Sequence, residues 1–449
     1  MSGALFPRSF RKSYPRAVRG DGCYLYTSDG RKLLDAAGGA AVVSIGHGVA
    51  AVAEAMAEQA RRLAYVHSSQ FHTEAAEQLA ERLRALAPAN FRRGRVFFTS
   101  GGSEATETAI KLCRQYFLER GQPQRTRVVG RRQSYHGATL GALAVTGNVR
   151  RRAPYLPLLA DWGHIAPCYC YRCPLGLTFP SCEVACADEL EKFVGGAEAE
   201  TIAAFIVEPV VGATLGAVVP PEGYLQRIAE ICRRHGMLLI ADEVMTGMGR
   251  TGKNFGVEHW GVEPDLILVG KGVASGYAPL GAVLVSEQVA ETIARGSGGF
   301  EHGFTYSAHP VAAAAGLAVL DHIEENNLFE RVAPAGRELA AALARLKNSP
   351  HVGDVRGIGL LAGVELVADA ATREPFAPEK RVAEKVCEAA LEGGVVTYPI
   401  QGCAHTGVGL HADGQRGDHI LLAPPFIISS EEIETIARAL ERAIARATA

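Results

Sequence analysis

Residues 265–281 read DLILVGKGVASGYAPLG, and this segment gives the strongest indication of an α/β fold. Its first part, residues 265–269, is a short apolar run between Pro264 and Gly270, which predicts a buried strand. Lys271 follows at once, so its amine is expected at the carboxyl end of that strand, where open α/β sheets bind ligands. Partial burial there lowers the pKa of a lysine and makes it a nucleophile toward carbonyl groups. The alternative is a lysine that simply ends a strand in solvent.

Strands alternate with helices through the middle of the chain, which is typical of a mostly parallel sheet covered by helices. The predicted strands are residues 95–99, 127–130, 203–207, 237–241, 266–269 and 282–285, and the predicted helices are 103–119, 224–235 and a segment from 310 onward. A second group of elements predicts a smaller α/β unit: helices at 330–346, 381–392 and 431–448, a strand pair at 355–366 and a strand at 419–422.

The expected domain organisation follows from these two groups of elements. Residues 23–34 predict a hairpin with a Ser-Asp-Gly turn, expected to pack with the smaller unit. We therefore expect an N-terminal segment at 1–70 that joins the small domain, a large ligand-binding domain at 71–324 and a small C-terminal domain at 325–449.

Composition excludes several classes of protein. Apolar residues make up 48% and charged residues 21% of the 449 residues, as in ordinary globular proteins. The 46 basic and 48 acidic residues give a net charge of −2, which provides no field to attract nucleic acid or an anionic membrane. No apolar run approaches the length of a membrane span, and the basic N-terminus lacks the apolar core of a secretory signal. We expect a cytoplasmic protein.

Five of the ten cysteines lie close together in the sequence, at positions 168, 170, 173, 182 and 186. A CxxC pair followed by a CxxxC pair is compatible with a structural zinc site. The alternative, which the short spacing between the pairs favours, is a compact loop of reduced thiols without a metal. Disulfides are not expected without a secretory signal.

The run TSGGSEATETAIK at residues 99–111 predicts a strand end, a glycine turn and a helix start. Glycines let backbone amides approach a ligand, and a helix N-terminus favours an anion. Gly101, Gly102 and Ser103 are therefore predicted to bind a phosphate group. The spacing matches neither a dinucleotide-binding glycine motif nor a Walker loop, so no nucleotide is implied. A plain strand–turn–helix connection is the alternative.

Other strand ends also carry polar residues. Tyr135, in SYHG, suits stacking on a planar ring. His136 could assist there, but a lone histidine is more often a packing or hydrogen-bonding residue. Glu208 ends an apolar strand and, as a buried carboxylate, requires a partner. Asp242 ends another strand and can pair with a protonated ring nitrogen, with Val244 against the ring face.

Asp242 and Lys271 end consecutive predicted strands. Three predicted groups together suit pyridoxal 5′-phosphate (PLP). They are an acid for its pyridinium nitrogen, an amine for its aldehyde and a glycine–helix cup for its phosphate. Arg250, in GMGRTG, is expected to hold Glu243 or another acid.

The chain resembles the class III, or omega-, aminotransferases of the fold-type I PLP enzymes. The similarity extends over nearly the whole length and rests on ordered motifs: LDAAGGAAVVSIGHG (34–48), TSGGSEATETAIK (99–111), YHG (135–137), VEPV (207–210), ADEVMTGMGRTG (241–252), GKGVASGYAPLGA (270–282), TYSAHP (305–310) and RGIGLLAGVEL (356–366). Two features depart from the common pattern, namely GGS in place of SGS in the phosphate loop and a longer cysteine-rich loop.

The resemblance assigns roles to individual residues. Lys271 would form a Schiff base with the cofactor and shuttle a proton, and Asp242 would pair with the pyridine nitrogen. The resemblance further implies a ring held between Tyr135 and Val244, with His136 and Glu208 close by. The resemblance also implies that the phosphate is bound by Gly101, Gly102, Ser103 and Thr305. Thr305 would come from a neighbouring subunit of a homodimer or dimer of dimers.

The implied reaction moves an amino group from an amine or omega-amino acid to a keto acid such as pyruvate, by a ping-pong mechanism. Arg416 is a candidate for the acceptor carboxylate, and the alternative is an exposed loop arginine. Tyr24 and Phe71 are candidates for the amine pocket. Other PLP reactions on this scaffold remain open, namely decarboxylating amino transfer, aminomutase and racemase chemistry. A non-catalytic cofactor-binding protein is a more distant alternative.

Overall fold

The computed structural model describes residues 4–196, 199–404 and 412–449. The strands are β1 (Ala17–Asp21), β2 (Tyr24–Thr27), β3 (Lys32–Asp35), β4 (Arg95–Thr99), β5 (Arg127–Arg131), β6 (His164–Ile165), β7 (Ile202–Val207), β8 (Leu238–Asp242), β9 (Leu266–Val269), β10 (Gly281–Val285), β11 (Val352–Ile358), β12 (Leu361–Leu366), β13 (Val395–Val396), β14 (Tyr398–Gln401) and β15 (Asp418–Leu422). The helices are α1 (Gly38–Ala41), α2 (Ala50–Arg62), α3 (Glu74–Leu86), α4 (Gly102–Glu119), α5 (Leu140–Val145), α6 (Val149–Arg152), α7 (Ala185–Gly196), α8 (Tyr224–Arg234), α9 (Glu287–Arg295), α10 (Pro310–Glu325), α11 (Leu328–Ala344), α12 (Val382–Glu392) and α13 (Ser430–Thr448).

A seven-stranded sheet in the order β4-β10-β9-β8-β7-β5-β6 forms the centre of the molecule. Its strands pair in parallel except β10, which runs antiparallel to both β4 and β9. Every residue of β7, β8 and β9 is buried, which explains why these strands read as continuous apolar runs without alternation. The predicted mostly parallel sheet covered by helices is confirmed.

Alternate residues of each central strand pack against helices on opposite faces of the sheet. Ala204 and Ile206 contribute to a cluster with α4, whereas Phe205 and Val207 contribute to a larger cluster with α7 and α8. Because both faces are covered, polar side chains of these strands reach solvent or a ligand only at the strand ends. The carboxyl end of the sheet is therefore the place for a site.

Two smaller sheets accompany the large one. The antiparallel sheet β11-β12-β15-β14 comes from the C-terminal part of the chain. The N-terminal hairpin β2–β3 joins β13 through parallel pairing of Leu34 with Val395, so the two ends of the chain share the sheet β1-β2-β3-β13. Helix α10 contributes to the cores of both regions, with Ala313 in one and Val319 in the other. The exact domain boundaries stay predictions.

No helix within the described ranges is both long and apolar enough to cross a membrane.

Candidate active site

One cavity of about 420 Å³ opens at the carboxyl end of the central sheet. Its walls come from the ends of β4, β8 and β9 and from the loops that follow β5 and β7. The lining residues with predicted roles are Gly101, Gly102, Ser103, Tyr135, His136, Glu208, Asp242, Val244 and Lys271. The structure thus brings together nine residues that were selected from five separate segments of sequence.

Lys271 lies two residues beyond β9, in the left-handed backbone region with a φ of 43°. This conformation is costly for a residue with a side chain and is typical of functional positions. Burial of the amine lowers its pKa to about 8, and the negative charges of Asp242 and Glu208 oppose that shift. An amine with this pKa is partly neutral near pH 7.5 and can attack a carbonyl carbon.

Asp242 is the last residue of β8 and is held by two contacts. Its Oδ2 lies 2.7 Å from Nδ1 of the buried His136, and its Oδ1 accepts the backbone N–H of Val244 at 3.1 Å. Nε2 of His136 is buried and has no hydrogen-bond partner among the described residues. His136 therefore orients the carboxylate toward the cavity. The histidine is a hydrogen-bonding residue and also lines the cavity.

The predicted phosphate cup lies at the N-terminus of α4. A Cβ added to Gly102 would lie 3.1 Å from both γ-methyl groups of Val244, so a side chain here would press on Val244. Ser103 Oγ accepts the backbone N–H of Ala138 at 3.0 Å and thereby joins the cup to the loop after Tyr135. Gly137 has a φ of 143°, which favours glycine. The cup presents backbone donors at the positive end of an 18-residue helix.

Glu208 ends β7 and orders the loop that carries Tyr135. Its Oε1 accepts the backbone N–H of Tyr135 at 3.0 Å, and its Oε2 accepts that of Gly212 at 3.1 Å. Burial raises the pKa of Glu208, while His136 and Arg131 lower it. The side chain therefore has a positioning role as well as a place in the cavity wall.

Four predicted residues do not line this cavity. Thr305 is exposed, and its carbonyl oxygen accepts the hydroxyl of Tyr65 at 2.8 Å. Phe71, with 60% of its surface exposed, lines a second cavity of about 720 Å³ beside Phe304. Arg416 pairs through Nε with Asp413 Oδ2 at 2.7 Å.

Tyr24 is the fourth of these residues, and its role in the amine pocket stays a prediction. Its ring lies on the N-terminal hairpin, where Lys32 Nζ stands 3.7 Å from the ring centroid. The hairpin pairs with β13, and Tyr24 packs against the core cluster that includes Leu34 and Val395.

The family comparison agrees with this geometry. A model of the class III aminotransferases matches residues 7–444. The chain belongs to the class III aminotransferases. It is 39% identical to an uncharacterised aminotransferase of Bacillus subtilis over 97% of this chain and 96% of that protein.

Solved structures of transaminases have the same fold as this aminotransferase. An (S)-enantioselective omega-transaminase from Thermomicrobium roseum is 39% identical, with a TM-score of 0.91 over 100% of this chain and 97% of that one. The omega-transaminase from Pseudomonas jessenii, solved in complex with PMP, is 32% identical, with a TM-score of 0.90 over 99% of this chain and 96% of that one. The enzyme is PLP-dependent, as its family is.

The residues around the cavity fit that cofactor. Lys271 supplies an amine, Asp242 supplies an oriented acid, and α4 begins at Gly102, where an added Cβ would press on Val244. The unpartnered, buried Nε2 of His136 further indicates that the polar lining is built around a ligand. These features together are what PLP requires of a protein.

Arg250 in this aminotransferase does not hold Glu243, contrary to the expectation from the sequence. Its guanidinium donates to the backbone oxygens of Leu360, Pro424 and Val43. The backbone amides of Gly256 and Val257 and the hydroxyl of Thr246 donate to Glu243 instead. Arg250 therefore links the loop after β8 to the turn between β11 and β12, the loop after β15 and the segment after α1.

The cysteine-rich loop packs as a unit around a void of about 20 Å³ lined by four thiols, those of Cys170, Cys173, Cys182 and Cys186. Cys168 points elsewhere and contacts Arg131 Nη1 at 3.1 Å. Within the described ranges, no group of three or more His, Cys, Asp or Glu side chains is arranged to hold a metal. The cysteines of the chain are free thiols.

Several cavity residues were missed by the sequence reasoning. The apolar wall contains Val42, Val210 and Met245, which lie within the motifs at 34–48, 207–210 and 241–252 but were given no role. Arg151 lies behind Tyr135, with its guanidinium carbon 4.3 Å from the ring centroid. The run of three arginines at residues 150–152 is the sequence feature that indicates a cationic group here.

Proposed function

We propose that this aminotransferase moves an amino group from an amine or omega-amino acid to a keto acid such as pyruvate, in two half-reactions of a ping-pong mechanism. The observation that supports this most is the single cavity that contains both Lys271 and Asp242. One cavity of about 420 Å³ has room for one substrate beside a cofactor, so donor and acceptor would use it in turn.

Lys271 is the proposed carrier of the transferred proton. A pKa of about 8 lets its amine both accept a proton from the substrate carbon and return it near neutral pH. PLP, when bound, supplies an electrophilic carbonyl carbon and an electron-withdrawing ring. The other side chains of the cavity would position the cofactor and the substrate.

Asp242 is proposed to keep a proton on the ring nitrogen, because a buried carboxylate held by His136 is already oriented for a cationic partner. Tyr135 and Val244 would hold the two faces of the ring. The amides of Gly101 and Gly102 and the hydroxyl of Ser103 would hold the phosphate.

We further propose a homodimer or dimer of dimers with shared sites in the cytoplasm. The support is an exposed aromatic face beside Thr305, with Tyr306 exposed by 61%, Phe71 exposed by 60% and Tyr65 against both Thr305 and Tyr306. Contiguous exposed aromatics of this kind are typical of a protein interface. Thr305 and Phe71 would then act at the cavity of the neighbouring subunit.

The decisive assay offers the purified enzyme an amine panel with pyruvate or 2-oxoglutarate and measures the amino acid formed. We expect alanine from pyruvate and parallel double-reciprocal plots, as a ping-pong mechanism requires. Release of carbon dioxide, or product without a keto acid, would instead support decarboxylation, aminomutase or racemase chemistry. Lys271→Ala should abolish the reaction, and Lys192→Ala, at an exposed lysine, serves as the matched control.

A further inference from the structure

Arg131 is the last residue of β5 and one of the largest fully buried side chains of the protein, yet it does not line the cavity. Burying a guanidinium is costly, and an apolar side chain of similar volume is often as stable or more stable in such a place. Core packing therefore does not account for an arginine at this position. Its contacts indicate what it does instead.

The guanidinium of Arg131 joins the ends of three neighbouring strands. In the central sheet β5 lies between β7 and β6. Toward β7, Nη2 donates to the backbone oxygen of Glu208 at 2.7 Å, directly after that strand ends. Toward β6, Nη1 donates to Sγ of Cys168 at 3.1 Å, where the cysteine-rich loop begins. A planar guanidinium with acceptors at two of its donors has little freedom to turn.

The same strand ends position Tyr135. The backbone oxygen of Arg131 accepts the hydroxyl of Ser134 at 2.7 Å, and Ser134 Oγ accepts the backbone N–H of Gly147 at 3.1 Å. The carboxylate of Glu208 accepts the backbone N–H of Tyr135 at 3.0 Å. Tyr135 is therefore connected to Arg131 both along the chain and through Glu208. A shift of the end of β7 relative to β5 would move Tyr135 in the cavity wall.

We propose that Arg131 is a positioning residue for the cofactor: it fixes Glu208 relative to β5, and Glu208 in turn holds Tyr135 in place against the ring. This inference rests on the proposed stacking of Tyr135 on PLP. The bond from Nη2 to Glu208 has a charged donor, which makes it stronger than a bond between neutral groups. Because both partners are buried, water does not replace it when it is lost.

The test has two readouts that do not depend on turnover. One is the dissociation constant of PLP, and the other is the circular dichroism of the cofactor band per bound PLP, which reports how the ring is oriented. For Arg131→Met we expect the dissociation constant to rise about tenfold, the equivalent of one hydrogen bond, and the circular dichroism to change. Arg131→Lys, which can donate to Glu208 without reaching both acceptors, should recover part of each loss.

Arg127 provides a matched control on the same strand. It begins β5, at the end away from the cavity, and donates to the backbone oxygen of Trp162 at 3.2 Å. Arg127→Met removes the same kind of contact and should leave both readouts unchanged. Equal effects of Arg127→Met and Arg131→Met would show a general weakening of β5 and would overturn the proposal.

A double-mutant cycle distinguishes positioning from a purely structural role. In a Tyr135→Leu background the ring that Arg131 is proposed to place is gone, so Arg131→Met should raise the PLP dissociation constant less than about twofold. An equal loss in both backgrounds would overturn the proposal.

The single variants separate this inference from the proposed function. Weaker PLP binding in Tyr135→Leu with unchanged binding in Arg131→Met would overturn the role of Arg131 alone. Unchanged binding in Tyr135→Leu would overturn the stacking of Tyr135 and, with it, this inference.

Discussion

The pKa of Lys271 can be tested in the cofactor-free enzyme. A pKa of about 8 leaves roughly a quarter of the amine neutral at pH 7.5, against about one part in a thousand for an ordinary lysine near 10.5. Capture of an aldehyde should therefore be about 200-fold faster at Lys271 than at an exposed lysine such as Lys192. Asp242 opposes the shift, so Asp242→Asn should lower the pKa of Lys271 further.

The assay uses pyridoxal, which lacks the phosphate, with borohydride trapping at a series of pH values and mass spectrometry of the peptides. Labelling of Lys271 should be half-maximal near pH 8 and should move to lower pH in Asp242→Asn. The reasoning would be refuted by a midpoint that coincides with that of Lys192, or by a midpoint that rises in Asp242→Asn.

Three further results are expected. Glu365→Gln should lower the free energy of unfolding by about 3–5 kcal/mol in chemical denaturation, because the buried Glu365 pairs with Arg356 and Arg172; an effect below 1 kcal/mol would contradict this. Gly137→Ala should weaken cofactor affinity at least tenfold by fluorescence titration, because a Cβ there would lie 2.8 Å from Ser103 Oγ; unchanged affinity would show that the loop adjusts. Burial raises the pKa of Glu243 from 4.5 to about 7, so its contribution to stability is fully present below pH 4.5 and is lost as the pH rises through 7. Denaturation of Glu243→Gln should therefore show stability rising relative to wild type between pH 5 and 8, and a constant difference would contradict that pKa.

The fold could be predicted largely because its central strands are short apolar runs that end in glycine or a polar residue. The predicted strand at 237–241 is Leu238–Asp242 in the structure, a shift of one residue that makes Asp242 the final strand residue. The irregular segments were not predicted in the same detail, since turns with positive φ at non-glycine residues, as at Lys271, leave no clear mark in a sequence.

Only part of the candidate site could be predicted from the sequence. Residues at strand ends were found because the topology of a parallel sheet brings those ends together. Arg250 was given the wrong partner because its acceptors are backbone oxygens more than 100 positions away, and backbone acceptors carry no sequence signal. Arg151 was overlooked because its contact with Tyr135 depends on how α6 folds back toward the sheet, which no local pattern reports.

The most direct test of the central assignment is reduction of the purified enzyme with borohydride, followed by peptide mapping. If Lys271 is the residue that bonds to PLP, the mass of a reduced pyridoxyl phosphate group should appear on the peptide containing Lys271 and on no other. The visible absorbance of the enzyme should be lost in the same step. The same mass on a different lysine, or a Lys271→Ala variant that is still labelled and active, would contradict the assignment.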